Sequence, residues 1–161
     1  MVVKEIRDED FTSYKKAAMV IGFPSCTFKC ERECGQKMCQ NSALATAPDI
    51  FILTSQLCVR YLANQITKAI VCAGLEPMDS FKELYSFIRT LRFQYQCNDD
   101  VVIYTGYTKA ECEQKNWLQE LAPFGNIIIK FGRFIPNQQP HYDEILGVKL
   151  VSNNQYAERI S

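Results

Sequence analysis

The chain has 161 residues, of which 47% are hydrophobic, enough apolar material for one core of ordinary domain size. Its 18 Lys and Arg residues are balanced by 18 Asp and Glu residues, which argues against a nucleic-acid or anionic-membrane partner. No run of about 18 uncharged apolar residues suggests a membrane span, and the charged first residues do not resemble a signal peptide. We therefore expect one cytoplasmic domain over residues 1–161.

Short apolar segments alternate with amphipathic segments along the chain. Residues 1–16 are polar and predict an edge strand or a flap. Predominantly apolar runs, typical of buried strands, follow at 17–23, 69–72, 101–104 and 126–130, with a possible fifth strand near 148–151. Apolar residues at helical spacing predict helices at 54–65, 80–92 and 108–121. The last of these starts with a capping box formed by Thr108 and Glu111.

Buried strands that alternate with helices indicate an α/β fold built from parallel β-α units. Four or five units are too few for an eight-fold barrel, so an open sheet or a partial barrel is expected. Ligands of parallel β/α folds gather at the carboxyl ends of the strands. The unusual residues of this chain all follow predicted strands, which predicts a site at that edge.

Eight cysteines need an explanation, and four of them (Cys26, Cys30, Cys34 and Cys39) fall within one Lys- and Glu-rich segment. Their spacing, C-x3-C-x3-C-x4-C, contains no C-x2-C knuckle, and the only histidine, His141, is far away in sequence. The pattern favours an iron–sulfur centre, while zinc, reactive thiols and disulfides stay open. The other cysteines lie among apolar neighbours and are expected to pack in the core: Cys58, Cys72, Cys97 and Cys112.

The cysteine segment resembles the motif of the radical S-adenosylmethionine superfamily, usually C-x3-C-x2-C. Residues 26–30 read C-T-F-K-C after a predicted strand, and 39–41 read C-Q-N. The resemblance implies Cys26, Cys30 and Cys39 as ligands of a [4Fe–4S] cluster, with a loop between the second and third that is six residues longer than usual. Cys34 is the rival third ligand. Three neighbours of the ligands are implied in cofactor binding: Phe28, Gln40 and Asn41.

Three later segments resemble the same superfamily in the same order. Residues 74–77, G-L-E-P, are similar to its G-G-E-P element, which implies that S-adenosylmethionine binds at Gly74, Leu75, Glu76 and Pro77. Residues 104–107, Y-T-G-Y, resemble the Thr-Gly-Tyr element of the small proteins that activate anaerobic ribonucleotide reductase, where Thr105 and Gly106 would line the cofactor pocket. Residues 147–155 are similar to a G-S-x-N-Q stretch. Lys130 departs from the family, which usually has Asp there.

The resemblance covers residues 17–160 and implies a partial (incomplete) parallel β/α barrel of the radical S-adenosylmethionine type. Its members cleave S-adenosylmethionine reductively to a 5′-deoxyadenosyl radical. The resemblance is strongest to the small activating proteins, so the implied partners are a glycyl-radical enzyme, either an anaerobic ribonucleotide reductase or another member of that class, and an external one-electron donor such as a flavodoxin. Two alternatives stay open: a radical enzyme that acts on a small molecule or peptide, and a non-catalytic module with zinc on four cysteines.

Overall fold

The computed structural model describes residues 1–39 and 41–161. Its strands are β1 (Val2–Val3), β2 (Glu5–Asp10), β3 (Ala18–Phe23), β4 (Ile50–Phe51), β5 (Ala69–Gly74), β6 (Asp100–Tyr104), β7 (Ile127–Phe131), β8 (His141–Asp143), β9 (Val148–Leu150) and β10 (Tyr156–Arg159). Its α-helices are α1 (Lys29–Cys34), α2 (Ser42–Thr46), α3 (Thr54–Ala63), α4 (Phe81–Phe93), α5 (Lys109–Gln114) and α6 (Trp117–Leu121), and short 3₁₀ turns cover Pro77–Ser80 and Ala122–Phe124. None of the described helices is long and apolar enough to cross a membrane.

A six-stranded sheet in the order β10-β7-β6-β5-β3-β2 forms the centre of the molecule. The four inner strands, β3, β5, β6 and β7, are parallel, and the edge strands β2 and β10 are antiparallel to their neighbours. All residues of β3 and β7 are buried, as expected for strands covered on both faces. The α/β class with a mostly parallel central sheet is therefore confirmed, and its edge strands leave the described sheet open.

Two layers cover the two faces of this sheet. Helices α3 to α6 bury residues such as Leu57, Leu84 and Leu121 against one face. The other face packs against Tyr14 and Leu146, which belong to the segment after β2 and to the β8–β9 hairpin. The hydroxyl of Tyr14 donates to Asp100 at 3.0 Å, which fixes this segment below the sheet.

Two predicted elements differ in the structure. The predicted helix 108–121 is broken into α5 and α6, because Asn116 adopts a left-handed φ of 59°, a conformation that Asn tolerates better than most residues. The possible fifth strand is present as β9, but it pairs with β8 in a separate two-stranded sheet. Lys149 is exposed, whereas its neighbour Leu150 is buried. Such alternation of exposed and buried side chains is typical of an antiparallel pair with one face in solvent. The predicted edge strand is confirmed as β2.

The four scattered cysteines lie in the core, as the sequence predicted: Cys58, Cys72, Cys97 and Cys112. Burial raises the pKa of all four thiols, and the pKa values of Cys58 and Cys112 reach about 12. Buried protonated thiols behave as small apolar groups and react slowly. These four residues are therefore packing residues.

Candidate functional site

A pocket of about 370 Å³ lies at the carboxyl edge of the parallel strands. Segments that follow β3, β5, β6 and β7 all contribute to its wall, and the β8–β9 hairpin supplies residues such as Val148 and Leu150. Its volume lies within the usual range for small-molecule sites, about 300–1,000 Å³. The strand-end segments that carry the unusual sequence features therefore meet at one place.

Three of the four clustered cysteines line this pocket: Cys26, Cys30 and Cys39. All three are half-buried, whereas Cys34, the last residue of α1, is exposed and is absent from the described pocket wall. Burial raises the pKa of Cys26 to about 11 and raises that of Cys30, so a metal must displace protons to bind there. Among residues 1–39 and 41–161, no three His, Cys, Asp or Glu side chains converge on the position of a single ion.

The cysteine segment is held by hydrogen bonds from backbone N–H groups. Thr27 donates to the Asp79 carboxylate at 2.7 Å, and the same carboxylate accepts the Tyr107 hydroxyl at 2.6 Å. Cys39 N–H donates to Glu31 Oε1 at 2.9 Å, as does its neighbour Met38 at 3.0 Å. Glu31 thus closes the long loop between the second and third pocket cysteines.

Glu76 is the buried carboxylate of the pocket, with an exposed fraction of 6%. Its Oε1 accepts the Thr105 hydroxyl at 2.7 Å and the Met78 N–H at 3.0 Å, and its Oε2 accepts the Gly106 N–H at 2.8 Å. Burial raises the pKa of Glu76 to about 7 although these donors favour the charged form. Glu76 is therefore fixed in position, and a cationic ligand beside it would stabilise its charged form.

Lys130 is the buried cation of the pocket, 7% exposed near the end of β7. Its ammonium donates to the Gly132 carbonyl at 2.8 Å. No carboxylate in the described chain lies within ion-pair distance of it. Burial lowers the pKa of Lys130 to about 8, although the negative charge of Glu76 opposes this shift, and a buried cation without a direct ion-pair partner is costly. An anionic group that entered the pocket would supply that direct partner.

The remaining predicted site residues are divided between the pocket and its surroundings. Gly74, Leu75, Thr105 and Gly106 line the pocket, as does Asn41, whose Nδ2 donates to the Gly74 carbonyl at 2.7 Å. In the described part of the chain, Phe28 and Pro77 are not in the wall: Phe28 lines a neighbouring cavity and Pro77 is buried in its turn. Gln40 lies outside the described residues.

Comparison with known families bears directly on the cysteine segment. Residues 18–156 match the profile of the family described as 4Fe-4S single cluster domain. The chain belongs to this family. No significant match is found among curated proteins or among solved structures.

Membership in the 4Fe-4S single cluster domain family supports the predicted iron–sulfur cluster. The ligand set and S-adenosylmethionine binding stay predictions. Sequence reasoning gave no role to Lys130, although a single charge inside the apolar run 127–131 is a signal that could have been used. It also missed Asp79, which has no sequence signal because both of its partners are distant along the chain.

Proposed function

We propose that this 4Fe-4S single cluster domain is a radical S-adenosylmethionine enzyme. One observation carries the proposal: three cysteine thiols, a buried carboxylate and a buried ammonium line the same pocket, at the carboxyl edge of the parallel strands. Thiols are the ligands that iron–sulfur centres use. Paired opposite charges in the same pocket suit a zwitterionic ligand such as the amino-acid end of S-adenosylmethionine.

The cysteine arrangement favours a cluster over a single zinc ion. Zinc binds thiolates at about 2.3 Å, so four ligands in a tetrahedron must lie within about 4 Å of one another. No such group is found in the described residues, and Cys34, which the zinc alternative needs, is exposed. A cluster spreads its ligands around several iron atoms, and three pocket cysteines leave one iron open for a further ligand. Cys26, Cys30 and Cys39 are the proposed ligands.

The chain's own residues would bind and orient S-adenosylmethionine. Glu76 offers a carboxylate to its ammonium group, held in place by Thr105 and Gly106, and Lys130 offers N–H donors to its carboxylate. When bound, a cluster reduced by an external one-electron donor would supply the electron that breaks the C5′–S bond of the sulfonium, giving methionine and a 5′-deoxyadenosyl radical. The protein's contribution is to position the ligand against a wall that is largely apolar.

The finer part of the proposal is that the radical removes a hydrogen atom from a glycine of a large partner enzyme. Support comes from the resemblance of residues 104–107 to the element found in activators of anaerobic ribonucleotide reductase. A partial β/α barrel is the form implied by that resemblance, and the open sheet order is compatible with it. The partners would be such a reductase and an external one-electron donor such as a flavodoxin.

The test is anaerobic reconstitution with iron and sulfide, followed by reduction and addition of S-adenosylmethionine. Wild type should be brown and should form 5′-deoxyadenosine. Cys26→Ala and Cys39→Ala should abolish the product, while Cys34→Ala, a matched control from the same segment, should retain it. Loss of the product in Cys34→Ala but not in Cys39→Ala would identify Cys34 instead of Cys39 as the third ligand. A colourless wild type that contains zinc and forms no 5′-deoxyadenosine would refute the proposal.

A small-molecule or peptide substrate is the second candidate, and one observation favours it. The pocket, about 370 Å³ in volume and walled on one side by Val148 and Leu150 of the β8–β9 hairpin, has the size of a small-molecule site. Incubation of the reduced protein and S-adenosylmethionine with a glycyl-radical enzyme separates the two candidates. A radical on the partner, detected by electron paramagnetic resonance, supports activation, whereas 5′-deoxyadenosine without a partner radical favours the small substrate.

A further inference from the structure

Four charged side chains connect the cysteine segment to the opposite side of the pocket edge. We call them the Glu111 network: Lys29 and Glu33 of α1, Glu111 of α5, and Arg133 of the loop after β7. The Arg133 guanidinium donates two bonds to the Glu111 carboxylate, at 2.8 and 2.9 Å, and lies 3.2 Å from Glu33. The Lys29 ammonium also bonds to Glu111 and lies 3.6 Å from Glu33.

Glu111 is the centre of the network. Besides both cations, its Oε2 accepts the backbone N–H and the hydroxyl of Thr108, at 2.8 and 3.0 Å. Arg133 is only 14% exposed and Glu111 only 23%, so solvent screens this two-bond pair less than an ordinary surface pair. The Arg133 bonds hold the pKa of Glu111 well below its usual range, although partial burial opposes this shift. The carboxylate is therefore charged at every physiological pH.

Helix α1 needs an external support of this kind. It has six residues, no buried side chain and no side-chain cap at its amino end. A helix this short is unstable alone, because ordering the first turn is unfavourable and few further hydrogen bonds form to offset it. Lys29 precedes Cys30 within this helix, so an anchor on Lys29 also fixes where the Cys30 thiol lies along the pocket wall.

We propose that Glu111 is a positioning residue that holds α1, and with it Cys30, against the pocket before any cluster is bound. The inference rests on the proposed function only in treating Cys30 as a cluster ligand. Glu111 itself does not touch the pocket in the described structure. It acts through Lys29 and Arg133, and its effect is to lower the ordering that the segment must undergo when iron binds.

Limited trypsin digestion of the cluster-free full chain tests the anchor directly. Cleavage after Arg32, which lies in α1 but outside the network, reports local opening of the helix. Glu111→Gln should speed this cleavage about tenfold, the effect of losing one net charged hydrogen bond, without a matching loss of global stability in urea. Glu113 is exposed on the same helix, and trypsin should cleave Glu113→Gln after Arg32 at the wild-type rate.

Salt and a second variant distinguish the anchor from general weakening of the fold. At about 1 M KCl, where the screening length is about 3 Å, the difference between wild type and Glu111→Gln should narrow without disappearing, because the partly buried pair is screened less than a surface pair, and the variant itself should change little. Arg133→Lys keeps the positive charge but loses the paired hydrogen bonds to Glu111. Its rate of cleavage after Arg32 should therefore lie between those of wild type and Glu111→Gln. Cleavage of Glu111→Gln at the wild-type rate, or an equal effect in Glu113→Gln, would overturn the proposal.

The reconstituted protein separates failure of this inference from failure of the proposed function. In equilibrium competition with a chelator, Glu111→Gln should hold iron about tenfold less tightly than wild type, by the same charged-bond reasoning. Equal affinity of the two proteins for iron would overturn the positioning role while the proposed function stands. If wild type holds no iron, the proposed function fails, and the Arg32 cleavage rates still decide whether Glu111 anchors α1.

Discussion

The buried carboxylate of Glu76 makes the stability of the cluster-free protein depend on pH in an unusual direction. Its pKa is raised from an ordinary value of 4.5 to about 7, so the folded state holds this proton more tightly than the unfolded state. The stabilising contribution is complete below pH 4.5 and is lost as the pH rises through 7. At about 1.4 kcal/mol per pH unit, the interval corresponds to about 3 kcal/mol.

Glu76→Gln removes this titration while keeping the size of the side chain. The amide would face the Gly106 N–H with a donor, so the variant loses about 1–3 kcal/mol at low pH. The decisive quantity is therefore how the difference in unfolding free energy between wild type and variant changes with pH. That difference should shift against wild type by about 3 kcal/mol in total, and most of the shift should fall between pH 5 and 8.

Urea denaturation of both proteins at several pH values between 4.5 and 8.5 measures this difference. The exposed Glu83→Gln serves as the control and should run parallel to wild type throughout. If the Glu76→Gln difference changes by less than about 1 kcal/mol across the range, burial does not disfavour the charge of Glu76. Glu76 would then gain no stabilisation of its charge from a cationic ligand.

Three further changes test other parts of the site. Lys130→Met should raise the unfolding free energy of the cluster-free protein by about 2 kcal/mol at pH 7, and this gain should shrink as the pH rises above the lowered pKa of about 8. The same change should weaken S-adenosylmethionine binding in calorimetry. A variant less stable than wild type at pH 7 would contradict the expected gain. Tyr107→Phe removes the 2.6 Å bond to Asp79 and should cost about 1.5 kcal/mol in urea denaturation; no loss would show that the bond is unimportant. Gly74→Ala places a Cβ 2.6 Å from the backbone of β3 at a φ of 90° and should lower the unfolding free energy in urea by more than about 2 kcal/mol. Gly35→Ala, also at positive φ but in open space, should lower it by about 1 kcal/mol. Equal losses in the two variants would show that the close approach of β3 to Gly74 is unimportant.

The parallel strands could be predicted because each is a run of apolar residues with at most one charged residue. The structure starts and ends β3, β6 and β7 within one residue of the predicted bounds. The capping box of Thr108 and Glu111 was also predictable, since it needs only residues three apart. Local sequence decides such features, so sequence reasoning reaches them.

Features that depend on distant partners could not be predicted in this way. The break at Asn116 interrupts a pattern that is helical on both sides, and the placement of β9 beside β8 depends on the packing of Leu146 and Leu150 below the sheet. The second role of Glu111, as acceptor for Lys29 and Arg133, is equally invisible in the local sequence. Three-dimensional proximity creates these interactions, and spacing along the chain does not encode them.

The placement of the cysteines divides the chain's susceptibility to oxygen into two classes. Oxidants attack thiols only where they can reach them, and the four core thiols are buried, whereas Cys34 is exposed and the pocket cysteines are half-buried. Damage on exposure to air is therefore concentrated at Cys34 and the pocket cysteines, where disulfides and sulfenic acids are reversible by thiol reductants. Oxidation in air should therefore spare the cysteines of the folded core, and thiol reductants should restore the pocket cysteines.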